Sequence, residues 1–193
     1  MARPRKFDRD HAVDAAMDAF WRRGYEATST RDLTERTGLG ASSLYNTFGD
    51  KRRLYLAALQ RYYDRSTAEQ LALLRRPGPV KDRLRELMTS AIDADLPVDD
   101  TATGCFAINA AIDRHAADPE VDAQLRRHFD TVAEALRETI ARGQREGELA
   151  ADRDADALAR QIQSTYYGLR VLAPVQRDRA ALLGIVDSLL AGL

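Results

Sequence analysis

Along this chain apolar residues recur every three to four positions in successive stretches broken by Gly, Pro and polar clusters, and no stretch shows the every-second pattern of a strand. Val13, Ala16, Met17, Phe20 and Trp21 follow the i, i+3, i+4, i+7, i+8 rule, which predicts a helix over residues 9–23 closed by Gly24. Ser29 with Asp32 three residues later has the form of a capping box, and Gly38 ends the helix it opens, Thr30–Thr37. After Leu39-Gly40, residues 41–48 give only two helical turns. A helix that short is marginal alone in water, so packing must hold it. Leu33, Leu39, Leu44 and Phe48 are the inward candidates, which leaves Ser42, Ser43, Tyr45, Asn46 and Thr47 outward. Two short helices joined by a tight turn, the second presenting small hydrogen-bonding groups and no acid, suit insertion into a DNA major groove.

A fourth helix opens at Asp50 and reaches Arg76, where Pro77-Gly78-Pro79 stops it. Its apolar stripe, Leu54, Ala58, Tyr62, Leu71 and Leu74, carries it out of the head and into the second half. Every later segment also reads helical: 79–94, a small-residue helix over 104–116 after the loop 96–103, a long helix from Asp118-Pro119 to Glu146, then 154–173 and 178–190. The fold class is therefore all-α with about nine helices. An N-terminal three-helix helix-turn-helix domain, residues 1–50, is followed by a C-terminal helical ligand-binding and dimerisation domain, residues 51–193.

The net charge of −1 hides an asymmetry, because residues 1–65 carry +4 and residues 66–193 carry −5. Only the first third favours a polyanion. Arg5 and Lys6 lie on a basic arm that could enter a minor groove beside the helix-turn-helix. The single cysteine, Cys105, excludes an internal disulfide framework. No apolar run approaches membrane-spanning length, and the basic start lacks the apolar core of a signal peptide, so a cytoplasmic protein without a membrane partner is expected. His11, His115 and His128 belong to no metal-ligand pattern, Gly38-Leu39-Gly40 follows no strand, and no P-loop exists. Neither a cofactor nor an enzymatic activity is expected.

Phe20…Gly24-Tyr25, the turn Thr37-Gly38-Leu39-Gly40, Leu44-Tyr45…Phe48 and Lys51 keep a spacing over the first 60 residues that resembles the DNA-binding domain of TetR-family transcriptional regulators. The resemblance implies that Tyr45, Asn46 and Lys51 contact phosphates. It departs at Ala41, where the family often has Lys, at Ser42, where Gly is frequent, and at Thr34 and Thr37, where Ala is usual. Thr30 and Arg31 at the start of the second helix join the DNA-facing set, with Ser42, Ser43 and Thr47 approaching base edges. No Arg or Lys lies on 41–48 to read guanine, so Arg31, the arm or DNA shape must add specificity.

The partners expected are a double-stranded, pseudo-palindromic DNA operator, a second copy of the chain, and a small-molecule effector. Leu158, Ile162 and Leu169, with Leu182, Ile185 and Leu189, give the last two helices more apolar surface than one core requires. That points to a four-helix dimer interface, as the resemblance also implies. An effector cavity in the second half would be lined by Tyr62, Met88, Ile92, Phe106, Asn109 and Tyr166. Gly104-Cys105-Phe106…Asn109 is similar to a subgroup in which the cysteine senses electrophiles or oxidants, and Cys105 stands at a helix start that would favour its thiolate. Plain packing as a small hydrophobe is the other reading of Cys105. A constitutive DNA-binding or architectural factor without an effector is the alternative for the whole chain; its second half would pack solid.

Overall fold

The computed structural model describes residues 9–96, 104–113 and 118–193, and among these every regular element is helical. The elements are α1 (Arg9–Ala27), α2 (Thr30–Thr37), α3 (Ala41–Phe48), α4 (Lys51–Arg75), α5 (Val80–Asp95), α6 (Phe106–Ile112), α7 (Pro119–Arg145), α8 (Ala155–Gln176) and α9 (Arg179–Ala191). The all-α class with a helix-turn-helix head is as the periodicity predicts. Gly24 interrupts α1 with φ +77°, and Gly38 closes α2 in the left-handed region at φ +70°, conformations that glycine adopts without a Cβ clash.

Several bounds differ from expectation, and α1 resumes after Gly24 and runs to Ala27 rather than closing there. Helix α8 continues through Pro174 to Gln176 rather than stopping at Ala173. Helix α6 is shorter than the 104–116 expected and gives way to a bend at Asp113. The expected loop 96–103 retains only Leu96 within the described residues.

The interior forms two clusters. The first gathers Phe20, Leu33, Leu44, Leu54, Leu59 and the tyrosines of α4, and takes in Cys105, Phe106 and Ala107 from the second half of the chain. The second is aliphatic, built from Leu84, Met88 and Ile92 of α5, Leu136 and Ile140 of α7, and the inner faces of α8 and α9. Helix α4 serves both, with Tyr62 in the first and Leu74 in the second. Its start is tied to α7 by Arg52, whose guanidinium donates to both oxygens of Asp118 (2.5 and 2.7 Å) and pairs with Glu120. Asp118 also caps α7, accepting from Glu120 N, and Arg52 is the main reason its carboxyl is held down at about 2.

Candidate nucleic-acid interface and effector region

Local rules build the head. Ser29 Oγ accepts from Asp32 N (3.2 Å) while Ser29 N donates to the Asp32 carboxylate (2.8 Å), so both halves of the capping box are made. Leu44 at 0 % and Phe48 at 6 % exposure anchor α3, which leaves Ser42, Ser43, Asn46 and Thr47 exposed on its opposite face. The bracing that two turns require is therefore present. Tyr45 is half-buried, and its hydroxyl lies 2.5 Å from Thr30 Oγ1, tying α3 to the start of α2. Thr47 turns its hydroxyl back onto Ser43 O (2.8 Å) and so faces outward with its methyl group.

Arg31 is exposed and paired with Glu35 on the same helix (2.8 Å). Lys51 places its ammonium 4.4 Å over the Tyr25 ring. Arg5 and Lys6 lie outside the described residues. Two cations that pattern reading did not single out flank α3: Arg9, whose guanidinium sits 5.6 Å from the Phe48 ring centre, and Arg53, whose side chain lies against Gly49. Both could have been found from their positions, Arg9 as the first residue of α1 and Arg53 in the first turn of α4.

The residues expected to line one cavity divide between two clusters, although Tyr62 and Phe106 do meet, with Cys105 beside them. Tyr62, Cys105 and Phe106 belong to the head's cluster, whereas Met88, Ile92 and Tyr166 belong to the aliphatic one. Met88 and Ile92 have no exposure at all, and Asn109, expected as a buried amide, is only half-buried. Periodicity identifies a buried stripe but not which neighbour covers it. Cys105 is 2 % exposed with its Sγ 3.4 Å from Tyr62 Oη, and Arg170 Nη1 donates to that same hydroxyl at 3.3 Å.

The centre of this network went unpredicted. Arg170 is buried and grips both oxygens of the buried Asp95 (2.6 and 3.0 Å), crossing 75 positions of sequence. Burial alone would pull the Arg170 pKa down; the Asp95 carboxylate outweighs it and holds the cation. The available signal was an arginine on the buried stripe of α8, one turn beyond Tyr166. Tyr166 and Arg170 border a small cleft of about 120 Å³ with Gln70, whose Nε2 bonds Ser66 Oγ and whose buried Oε1 has no partner among the described residues.

Rings connect this region to the head. The Trp21 indole N–H donates to Gly104 O (3.0 Å), and its ring lies near-parallel to Phe106 (6.1 Å) and edge-on to Tyr62 (5.1 Å). Phe106 meets Tyr55 at 6.0 Å and Tyr55 meets Tyr25 at 4.9 Å, so one continuous aromatic path runs from Cys105 to the ring beneath Lys51.

The dimer residues need correction. Leu158, Ile162, Leu169 and Leu182, at 2 % exposure or less, are core residues of the protomer, because they cover α5 and one another. Leu189 is half-buried. Ile185 at 38 % exposure is outward, as are Val171 at 48 % and Val175 at 77 %, which the pattern reading passed over.

Among the described residues no helix is long and apolar enough to cross a membrane, and no three His, Cys, Asp or Glu side chains gather as a metal site.

Two family profiles match, "Bacterial regulatory proteins, tetR family" over residues 12–58 and "Tetracyclin repressor-like, C-terminal domain" over residues 80–188. The chain is 33 % identical to the uncharacterized HTH-type transcriptional regulator YezE of Bacillus subtilis (strain 168), covering 97 % of this chain and 96 % of that one. It is 34 % identical to the HTH-type transcriptional repressor ComR of Escherichia coli (strain K12), over 89 % and 81 %. A cysteine mutant of the TetR family transcriptional regulator CifR, solved with 26-bp double-strand operator DNA, superposes with a TM-score of 0.85 at 32 % identity over 98 % of both chains. Reduced E. coli NemR gives 0.85 at 16 % identity over 94 % of each, a likeness of fold.

Proposed function

The chain belongs to the TetR family of DNA-binding transcriptional regulators, and from that premise we propose that it is a repressor that leaves its operator when a small molecule or electrophile engages the region around Cys105. The observation that carries the DNA half of this reading is α3. It is a two-turn helix anchored by Leu44 and Phe48, with Ser42, Ser43, Asn46 and Thr47 facing outward. Tyr45, Asn46 and Lys51 set the register on phosphates, with Arg5 and Lys6 of the arm, Thr30 and Arg31 beside them. Ser42, Ser43 and the Thr47 methyl approach base edges.

Two copies bind together through the outward faces of α8 and α9, around Val171, Val175 and Ile185, where small residues such as Gly168 and Gly184 allow close approach. Their recognition helices then meet successive major grooves, roughly 34 Å apart, of a pseudo-palindromic site. The division into a head, residues 1–50, and an effector and dimer domain, residues 51–193, is functional rather than a break in packing, since the first cluster runs across Asp50.

Release is a population shift. Cys105 Sγ is buried against Tyr62 Oη, and the Tyr62 ring in turn packs on Phe106 and Trp21, so atoms added to the thiol must displace Tyr62 and disturb those rings. These touch α1 and α4 directly, and α4 begins at Lys51, beside the phosphates. The test is operator binding by fluorescence anisotropy, on a site selected from random duplex DNA, before and after N-ethylmaleimide. The wild type should lose most of its affinity and Cys105→Ser should keep it. Equal release of both proteins would remove the electrophile from the account, and failure to select any duplex would remove the function altogether. A constitutive factor, the reading favoured by the tight packing of Met88, Ile92 and Phe106, would select DNA and hold it under every treatment.

A further inference from the structure

The turn between α4 and α5 borders a cleft of about 530 Å³ in which Arg75, Arg76, Arg83 and Arg142 face Glu146 and Glu148. One of the two acids and one of the four arginines are already engaged. Glu148 accepts from Val80 N (2.6 Å) at the start of α5, and Arg76 pairs with Glu86 outside the cleft.

Arg83 is the informative residue. It is 5 % exposed, and its Nη1 donates to Leu74 O (2.7 Å) and Arg76 O (3.1 Å), which caps the end of α4. Its Nε is buried without a partner, and no carboxylate pairs with the guanidinium among the described residues. Carbonyl dipoles offset part of the cost of burying that charge, but a cation taken out of water with no carboxylate bonded to it is strongly penalised. Burial, and after it the neighbouring positive charge of Arg142, push the Arg83 pKa down, and the opposing pull of Glu148 and Glu146 does not offset them.

We propose that this cleft binds a small soluble molecule through a phosphate or pyrophosphate group, held by the guanidinium groups of Arg83, Arg142 and Arg75. The planar fork of arginine matches tetrahedral oxyanions, and several such groups around one cleft favour a multiply charged one. The site is remote from the operator. Lys51 and Arg75 are the two ends of the 25-residue α4, roughly 36 Å of helix apart, so DNA phosphates held by the head do not reach it. The proposal therefore stands or falls independently of the DNA reading.

Calorimetric titration of the full chain with sodium pyrophosphate, at constant ionic strength, should give saturable binding that sulfate and chloride do not reproduce. Arg75→Gln/Arg142→Gln should weaken it by about tenfold or more while keeping the unfolding temperature and operator affinity of the wild type. Arg83→Gln removes a helix cap as well, so the double variant is the decisive one. No saturable heat, equal binding of sulfate, or unchanged affinity in the double variant would each overturn the site. Stronger capture by phosphatidic acid vesicles than by pyrophosphate at equal phosphate would overturn the choice of a soluble ligand.

Discussion

The two interiors of this protein are made of different material. The head's cluster is aromatic: Phe20, Trp21, Tyr25, Tyr55, Tyr62, Tyr63 and Phe106 meet edge to face or stacked, and a hydrogen bond from Trp21 to Gly104 fixes one of them. The distal cluster is almost wholly leucine, isoleucine, valine, methionine and alanine. Aliphatic side chains repack with modest loss when volume is kept, whereas aromatic pairs hold preferred angles and each adds about 0.5–1.5 kcal/mol beyond its buried area. The difference teaches where a signal can be transmitted. On the proposed reading, a disturbance at Cys105 should enter rings packed on α1 and α4, while one among the leucines of α5 and α7 should be absorbed.

The largest expected effect breaks the comparison at its centre. Phe106→Ala and Leu136→Ala each empty a fully buried position and should cost about 3–5 and 2–5 kcal/mol respectively, read as lower midpoints in urea. At a temperature where both variants remain folded, only Phe106→Ala should also weaken operator binding, because it alone loosens Trp21 and Tyr55. Equal operator affinity in the two would mean that the aromatic cluster stabilises without transmitting.

What the chain's pattern disclosed divides along the same line. The Ser29–Asp32 box, the stop at Gly38 and the inward placement of Leu44 and Phe48 follow from rules that span three or four residues, and the structure has them all, while Gly24 kinks α1 rather than ending it. Which stripes meet is a property of topology. Hence Met88 and Phe106, expected in one cavity, lie in different clusters, and Leu158 and Ile162, expected as partner surface, lie in the protomer's core. The pair Arg170–Asp95 spans 75 positions; an arginine on a buried stripe signals that a partner exists without saying where.

Acid should open the seam between the clusters next. His128 is buried against the Tyr63 ring (4.7 Å), with Nδ1 2.9 Å from Thr67 Oγ1 and Nε2 3.2 Å from Tyr167 Oη. Burial, and secondarily the charge of Arg170, lower its pKa to about 4 from 6.5. The folded state therefore favours neutral imidazole. Between pH 6.5 and 4 the unfolded chain binds the extra proton, so this contribution is full above pH 6.5 and is lost as the pH falls toward 4. Its size is about 3 kcal/mol at most. In thermal melts from pH 7 to 4.5, His128→Leu should lose less stability than the wild type; parallel curves would remove His128 from the explanation.

A smaller effect sharpens the contrast optically. Trp21 is the chain's single tryptophan and lies against Phe106, beside Cys105. Trp21→Phe should cost about 1 kcal/mol for the lost bond to Gly104 O. In the wild type, N-ethylmaleimide should shift or quench Trp21 emission in parallel with operator release. Release with unchanged emission would place the transmission in α4 alone.

The smallest effect on stability falls on the surface. Arg31 and Glu35 pair one turn apart on α2, both well exposed at 86 % and 61 % of their side chains, and exposed pairs of this kind contribute little. Arg31→Ala should leave the unfolding midpoint nearly where it was. Its cost should appear in the choice of DNA, because α3 carries no cationic side chain, and a guanidinium at the start of α2 is among the few groups placed to read a guanine or a narrow groove. Repeating the selection from random duplexes with the variant should return a site whose outer positions are less defined, with weaker dependence on salt. If instead the same consensus emerges with the same salt slope, Arg31 stays bound to Glu35 on the operator, and the head's specificity rests on the hydroxyls and amide of α3, with DNA shape supplying the rest.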